Sequence, residues 1–102
     1  MILREREKDE VKRALAAALS HEDEVRRIVV FGSFLDSDNP HDIDVAVFQD
    51  SNEKYLPLAL RYRRDVRAVS CKIPIDIVPL KADVTDDPFL KQIEKGETIY
   101  EK

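Results

Sequence analysis

The sequence predicts an α+β domain, in which helices pack on a small mixed sheet of three to four strands in the order α-β-α-β-α-β. Three observations support this prediction. The chain has 102 residues, enough for one hydrophobic core. Its hydrophobic content of 43% is ordinary for a folded protein and argues against disorder. Short β-branched runs alternate with segments of helical periodicity. We therefore expect residues 1–102 to form a single domain.

The first predicted element is a helix from about Leu3 to Leu19. No Gly or Pro interrupts this segment, and its outer face is charged. Apolar side chains recur at helical spacing at Val11, Leu15, Ala18 and Leu19. The polar stretch Ser20–Glu24 is predicted to end the helix.

The next segment reads as a strand followed by a sharp turn. Arg26–Phe31 is rich in β-branched residues and is predicted to be a strand buried on both faces. Gly32 and Ser33 end it. Phe34–Asp38 has room for about one helical turn, which Asn39-Pro40 then stops.

A second strand is predicted from Asp42 to Phe48 because apolar and polar residues alternate there. One face carries Ile43, Val45 and Val47, and the other carries Asp42, Asp44, Ala46 and Phe48. A third strand is predicted over about Ile73–Val78, with Ile75 and Ile77 on one face and Asp76 and Val78 on the other.

A helix is predicted between these strands, from Glu53 to about Val69. Asp50-Ser51-Asn52 offers capping side chains, and Pro57 falls in the first turn, where it is tolerated. The expected apolar stripe is Tyr55, Ala59, Tyr62, Val66 and Val69. After the third strand we expect a loop at Lys81–Asp87, a short helix at Pro88–Lys95 ended by Gly96, and an edge strand at Thr98–Tyr100.

The chemistry of the chain is concentrated around residues 32–44 and 76. A Gly-Ser turn at the end of a strand can present unpaired backbone N–H groups to a phosphate. Asp42 and Asp44 point to the same face of a strand, roughly 6 to 7 Å apart. Asp76 is costly to bury unless it is paired or bound to metal. If its strand lies beside the second strand, three carboxylates meet at one place and can hold divalent cations for phosphoryl or nucleotidyl transfer.

These residues resemble the nucleotidyltransferase superfamily typified by DNA polymerase beta, and more narrowly its minimal single-domain members. The family pattern is Gly-Ser, then roughly ten residues, then Asp-x-Asp on the next strand, with a third Asp on a later strand. Gly32, Ser33, Asp42, Asp44 and Asp76 match it in order. The closing segment from Ile93 to Tyr100 is also similar, so the resemblance covers nearly the whole chain and implies the nucleotidyltransferase fold.

The resemblance also implies the roles of these residues. Gly32 lets the backbone approach a triphosphate, and Ser33 hydrogen-bonds a phosphate oxygen. Asp42 and Asp44 hold two Mg²⁺ ions, for which Mn²⁺ can substitute. Asp76 holds the second ion and helps to deprotonate an acceptor hydroxyl. The implied reaction transfers a nucleoside monophosphate, with ATP as the expected donor.

The resemblance further implies a small helical, toxin-like partner protein that this chain modifies or masks. Two features distinguish the chain from the usual pattern. Only eight residues separate Ser33 from Asp42, and Asp36 and Asp38 stand where many relatives carry a basic residue. These features favour an alternative, an antitoxin-like binding module of the same fold that neutralises its partner with weak or no catalysis.

Composition excludes several other classes of protein. The net charge of -4 argues against a general nucleic-acid coat protein. The single cysteine, Cys71, excludes an internal disulfide and a multi-cysteine zinc site, and we expect it in the core or at its rim. No apolar stretch reaches the ~18 residues of a membrane span, so a cytoplasmic location is expected. Arg61, Arg63, Arg64 and Arg67 form either a solvated face or a docking surface for an acidic partner or RNA.

Overall fold

The computed structural model of this chain describes residues 2–69 and 73–102. The expectation for Cys71 therefore lies outside the described residues. The elements, in chain order, are α1 Glu5–Ser20, β1 Val25–Phe31, α2 Ser33–Asp36, β2 Ile43–Gln49, α3 Tyr55–Asp65, a 3₁₀ turn Val66–Ala68, β3 Ile75–Lys81, α4 Leu90–Glu94 and β4 Glu97–Glu101. None of the helices in the described ranges is both long and apolar enough to pass through a membrane.

The four strands form one mixed sheet in the order β3-β2-β1-β4. Strand β1 is antiparallel to both β2 and β4, whereas β2 and β3 are parallel. A parallel pair needs a crossover connection, and α3 supplies it. The predicted α+β class, mixed sheet and helical layers are confirmed.

Both faces of the sheet are covered, which explains why β1 is buried on both sides. The predicted face of β2 with Ile43, Val45 and Val47 packs against α1 and α3. The opposite face, with Ala46 and Phe48, packs against α4 through Ile93. The two faces that the sequence predicts for β2 therefore belong to two different hydrophobic cores.

Helix α3 begins two residues later than predicted and lacks a side-chain cap. Lys54 takes the cap position, and no side-chain oxygen accepts from the first turn. The side chain of Ser51 is engaged elsewhere, because its hydroxyl donates to the Oε1 atom of buried Gln49 at 2.5 Å. Ser51 thus satisfies the buried amide oxygen of Gln49 and does not cap the helix.

The apolar stripe predicted for this helix is correct except at its beginning. Tyr55 is 57% exposed, and Leu58 is buried in its place beside Ala59 and Tyr62. Tyr55 is the first residue of the helix, and the core begins one turn later. The helix also ends early, at Asp65, and Val66 is buried from the 3₁₀ turn that follows.

The other boundaries shift by at most three residues. Helix α1 begins at Glu5 rather than Leu3, and the backbone N–H of Leu3 instead donates to the Asp38 carbonyl at 2.8 Å. The short helix after the Gly-Ser turn includes Ser33 itself. Strand β3 starts and ends later than predicted, and α4 is shorter at both ends. Hydrogen bonds of the tertiary structure set these limits, which side-chain patterns do not reveal.

Arg61 is not part of a solvated basic face. Its guanidinium pairs with the carboxylates of three glutamates, Glu22, Glu24 and Glu53, at 3.2, 2.8 and 2.7 Å. The hydroxyl of Tyr62 donates to the same Glu24 at 2.6 Å. These contacts tie α3 to the loop before β1, at the end of the sheet where β1 begins.

Candidate metal centre

The Gly-Ser turn at the end of β1 has a backbone that only glycine adopts readily. Gly32 has a φ of 83°, and no other residue in the described ranges has a positive φ. Ser33 follows it as the first residue of α2, and both residues are exposed. The turn therefore presents its backbone and the Ser33 hydroxyl to solvent at the edge of the core.

The space above Gly32 is filled by a carboxylate from the neighbouring strand. A Cβ atom at this position would lie 2.5 Å from the Oδ2 atom of Asp44. The approach follows from the register, in which Phe31 is the partner of Asp44. Residue 32 must therefore be glycine for two reasons: its φ is positive, and Asp44 leaves no room for a side chain.

The structure brings together the three aspartates singled out in the sequence. Asp44 and Asp76 are direct partners on the parallel strands β2 and β3 and so share one face of the sheet. Asp42 precedes β2 by one residue. Each carboxylate offers an oxygen, and these oxygens all lie within 4.8 Å of one another.

The electrostatics of this cluster favour a bound cation. Burial raises the pKa of Asp44 above its ordinary value, and the negative charges of Asp42 and Asp76 raise it further. The three carboxylates therefore repel one another when all are ionised. Carboxylate oxygens are the ligands that Mg²⁺ prefers in proteins, and Asp76 is exposed and open to an incoming group. The donor set fits a divalent cation.

A buried lysine that the sequence analysis did not identify lies beside the segment after the Gly-Ser turn. Lys8 of α1 is 3% exposed, and its ammonium donates to the Ser37 carbonyl at 2.8 Å. The same Nζ atom lies 5.6 Å from the ring centroid of Phe34 in α2. The spacing of Lys8, three residues before Val11 and seven before Leu15, places it on the apolar stripe of α1. This spacing could have indicated from the sequence that Lys8 is buried.

A second group of titratable side chains lies at the opposite end of the sheet. Oxygens of Glu22 and Asp65 and a ring nitrogen of His21 lie within 4.8 Å of one another. Burial raises the pKa of Glu22 to about 7, and the adjacent Asp65 carboxylate adds to the shift. The Oδ2 atom of Asp65 is buried and accepts no hydrogen bond from another group as the side chains stand. When Glu22 is protonated, its side chain can donate a hydrogen bond to Asp65.

The predicted nucleotidyltransferase fold is confirmed by a match to a known protein family. The chain matches a family model described as Polymerase beta, Nucleotidyltransferase over residues 13–102. The matched range includes the Gly-Ser turn and all three aspartates, whereas Lys8 lies before it. No curated protein matches the chain.

Proposed function

Because the chain belongs to the polymerase beta nucleotidyltransferase family, we propose that it transfers a nucleoside monophosphate from ATP to a hydroxyl group of an acceptor. The observation that carries this proposal is the convergence of three carboxylates. Oxygens of Asp42, Asp44 and Asp76 lie within 4.8 Å of one another beside the turn at Gly32. A binding surface without catalysis has no need of three mutually repelling acids.

Asp42, Asp44 and Asp76 are the residues that hold divalent cations in this proposal, two Mg²⁺ or Mn²⁺ ions. When bound, such ions stabilise the negative charge that develops on the attacking and leaving oxygens. The protein positions the ligands for them. Asp44 and Asp76 are fixed by adjacent strands, and Asp42 is fixed by the loop that enters β2. This rigidity keeps the charge of the site in one place.

The turn at Gly32 and Ser33 holds the triphosphate in the proposed complex. The exposed backbone of Gly32 and Ser33 is open to phosphate oxygens from the solvent side of the turn. The exposed Ser33 hydroxyl donates a hydrogen bond to one of them. Ser33 follows Gly32 in the chain, and Asp44 lies against Gly32 from the neighbouring strand. In the proposed complex the phosphates therefore lie next to the carboxylates.

The proposed transfer forms one bond and breaks one. The acceptor oxygen bonds to the α-phosphorus, and the bond from that phosphorus to the bridging oxygen of the β-phosphate breaks. Pyrophosphate leaves with the electron pair, and the hydroxyl proton passes to the Asp76 carboxylate. Asp76 suits this role because it is the exposed member of the three, and the acceptor must come from solvent.

Labelled ATP provides the test of this proposal. The protein is incubated with ATP labelled at the α-phosphate, Mg²⁺ and cell extract, and products that carry label are identified by mass spectrometry. Asp44→Asn is expected to lower the transfer rate by a factor of about 100 or more, because a charged ligand is lost. Asp86→Asn, an exposed loop substitution, should leave the rate unchanged. Equal rates in both variants would contradict the proposal.

A second candidate function is a binding module that neutralises a partner protein with weak or no catalysis. It is favoured by residues 34–41, which contain Asp36 and Asp38 but no lysine or arginine to attract a triphosphate. Both acids are exposed. Under this reading wild type takes up no ATP with millimolar Mg²⁺, and Asp44→Asn keeps full affinity for the partner.

A further inference from the structure

Exposed apolar side chains of this protein are concentrated on one helix. In residues 2–69 and 73–102, five large apolar side chains are exposed, and three of them belong to the first six residues of α3. Tyr55, Leu56 and Leu60 are 57, 63 and 55% exposed. Single exposed apolar residues are common on protein surfaces, but their clustering marks an interaction site.

The two leucines begin a continuous strip along the helix. Leu60 lies one turn after Leu56, and Arg63 and Arg64 lie one turn after Leu60, so these side chains share one face. Arg67 extends the strip into the 3₁₀ turn. We call this strip the α3 outer face. Its first half is apolar, and its second half is basic.

The arginines of the α3 outer face are free to meet a partner. Arg63, Arg64 and Arg67 are exposed, and within the described ranges none of them forms an ion pair. Arg61, on the other side of the helix, already engages three nearby glutamates. The positive charge of the α3 outer face is therefore uncompensated, although the chain has a net charge of -4.

Contacts of α3 place its second half near the end of the sheet opposite the three aspartates. Arg61 pairs with Glu22 and Glu24, in the loop before β1. The last residue of the helix, Asp65, lies 3.5 Å from His21 in the same region. The α3 outer face is therefore separate from the carboxylate cluster.

We propose that the α3 outer face docks an acidic amphipathic helix of a separate protein. The leucines receive the apolar stripe of that helix, and Arg63, Arg64 and Arg67 pair with its acids. This docking does not depend on the proposed transfer reaction, because the α3 outer face lies away from the carboxylate cluster.

The composition of the face favours a protein over RNA and over a second copy of this chain. RNA is held by phosphate contacts and aromatic stacking, to which Leu56 and Leu60 contribute nothing. A second copy of this face offers no acidic side chain to pair with these arginines. An acidic helix satisfies both halves of the face at once.

The test uses two synthetic helical peptides with the same leucine stripe, one flanked by glutamates and one by lysines. Binding is measured by fluorescence anisotropy without nucleotide or metal, so a failed transfer reaction does not affect it. We expect the glutamate peptide to bind at least about tenfold more tightly than the lysine peptide. Leu60→Ser and Arg64→Glu should each weaken its binding about tenfold, and salt should weaken binding to wild type.

Two control variants carry the same chemical changes elsewhere on the surface. Ile2→Ser alters another exposed apolar residue, and Arg6→Glu alters an exposed arginine of α1. Both should bind the glutamate peptide as wild type does, and circular dichroism confirms that all four variants are folded. Equal binding of the two peptides, or equal effects of face and control variants, would overturn the proposal.

Two further outcomes would assign the face to another occupant. An RNA oligonucleotide that displaces the glutamate peptide, and whose affinity depends on Arg63 and Arg64 but not on Leu60, would identify a nucleic-acid surface. A dimer in analytical ultracentrifugation that dissociates on Leu60→Ser would identify a second copy of this chain. Either result replaces the proposed partner helix.

Discussion

The Oδ2 atom of Asp44 occupies the space that a side chain at residue 32 would need, since a Cβ atom on Gly32 would lie 2.5 Å from it. This closeness joins the turn that ends β1 to the carboxylate cluster of β2. Neither residue can change without affecting the other, and the pair therefore allows a direct test of the site geometry.

Gly32→Ala is expected to destabilise the protein for two separable reasons. The backbone conformation of Gly32 alone, with φ 83° and ψ -160°, costs an L-residue about 1 to 3 kcal/mol, and the contact with Asp44 adds to this loss. Urea denaturation measures the free energy of unfolding. In an Asp44→Ala background the contact is absent but the backbone strain remains, so the same substitution should cost less. An identical cost in the two backgrounds would show that Asp44 does not limit residue 32.

Asp44→Asn is expected to stabilise the protein in metal-free buffer, because one of three mutually repelling charges is removed. Addition of Mg²⁺ should reverse the order. At a concentration several times its dissociation constant, Mg²⁺ should stabilise wild type by about 1 kcal/mol. The variant should respond weakly. The melting temperature with and without Mg²⁺ measures both effects.

Asp86→Asn is the matched control for this experiment, since Asp86 is an exposed acid in the loop after β3. It should respond to Mg²⁺ as wild type does. A response of Asp44→Asn as large as that of wild type would place the cation elsewhere.

Stability should fall as the pH rises from about 4.5 through 7, because of Glu22. Burial and the neighbouring Asp65 raise its pKa to about 7 from an ordinary value of 4.5. The folded state therefore holds this proton more tightly than the unfolded state. The resulting stabilisation is complete below pH 4.5 and is lost as the pH passes 7, by about 1 to 2 kcal/mol for a partly exposed group.

Glu22→Gln isolates this effect, since the amide keeps a donor toward the Oδ2 atom of Asp65 at every pH. The difference in urea midpoint between variant and wild type should be small at pH 4.5 and largest at pH 8. Asp23→Asn, at the exposed neighbouring position, should follow wild type throughout. If the urea midpoints of wild type and Glu22→Gln changed with pH in the same way, the proton held between Glu22 and Asp65 would be refuted.

Lys8 is expected to tolerate an apolar substitution better than a reversal of charge. Lys8→Met keeps the length of the side chain and its contact with Phe34, and we expect a loss within about 1 to 2 kcal/mol. Lys8→Glu places a carboxylate against the Ser37 carbonyl in a buried position, and we expect a loss of about 3 kcal/mol or more. Arg6→Glu, on the exposed side of α1, controls for charge. Similar urea midpoints for Lys8→Glu and Arg6→Glu would show that the lysine is not held as described.

Some features of the candidate site could be predicted from the sequence, and others could not. The alternation of Ile43, Asp44 and Val45 fixed the face of β2 on which the carboxylates lie, because strand side chains alternate strictly. Asp76 could be placed beside Asp44 only if its strand were the next in the sheet. Local patterns do not encode strand order, and the register of the parallel pair supplied it.

The misplaced residues share one physical cause. Tyr55 was expected inside and Arg61 in solvent, yet the ring is exposed and the guanidinium is held by three glutamates. Both predictions assumed that residue type decides burial. What decided it was the place of each residue in the fold: Tyr55 is the first residue of α3, and Arg61 lies against the glutamates of the loop before β1.

The amino-acid sequence by itself determined the elements, their apolar faces and the identity of the acidic residues, since these depend on local periodicity and on short-range sterics. The tertiary structure alone decided that Asp42, Asp44 and Asp76 share one space beside Gly32, that Lys8 is buried, and that the arginines of α3 divide between a paired and an unpaired set. Such relationships join residues far apart in the chain, and they exist only once the strands have paired and the helices have packed.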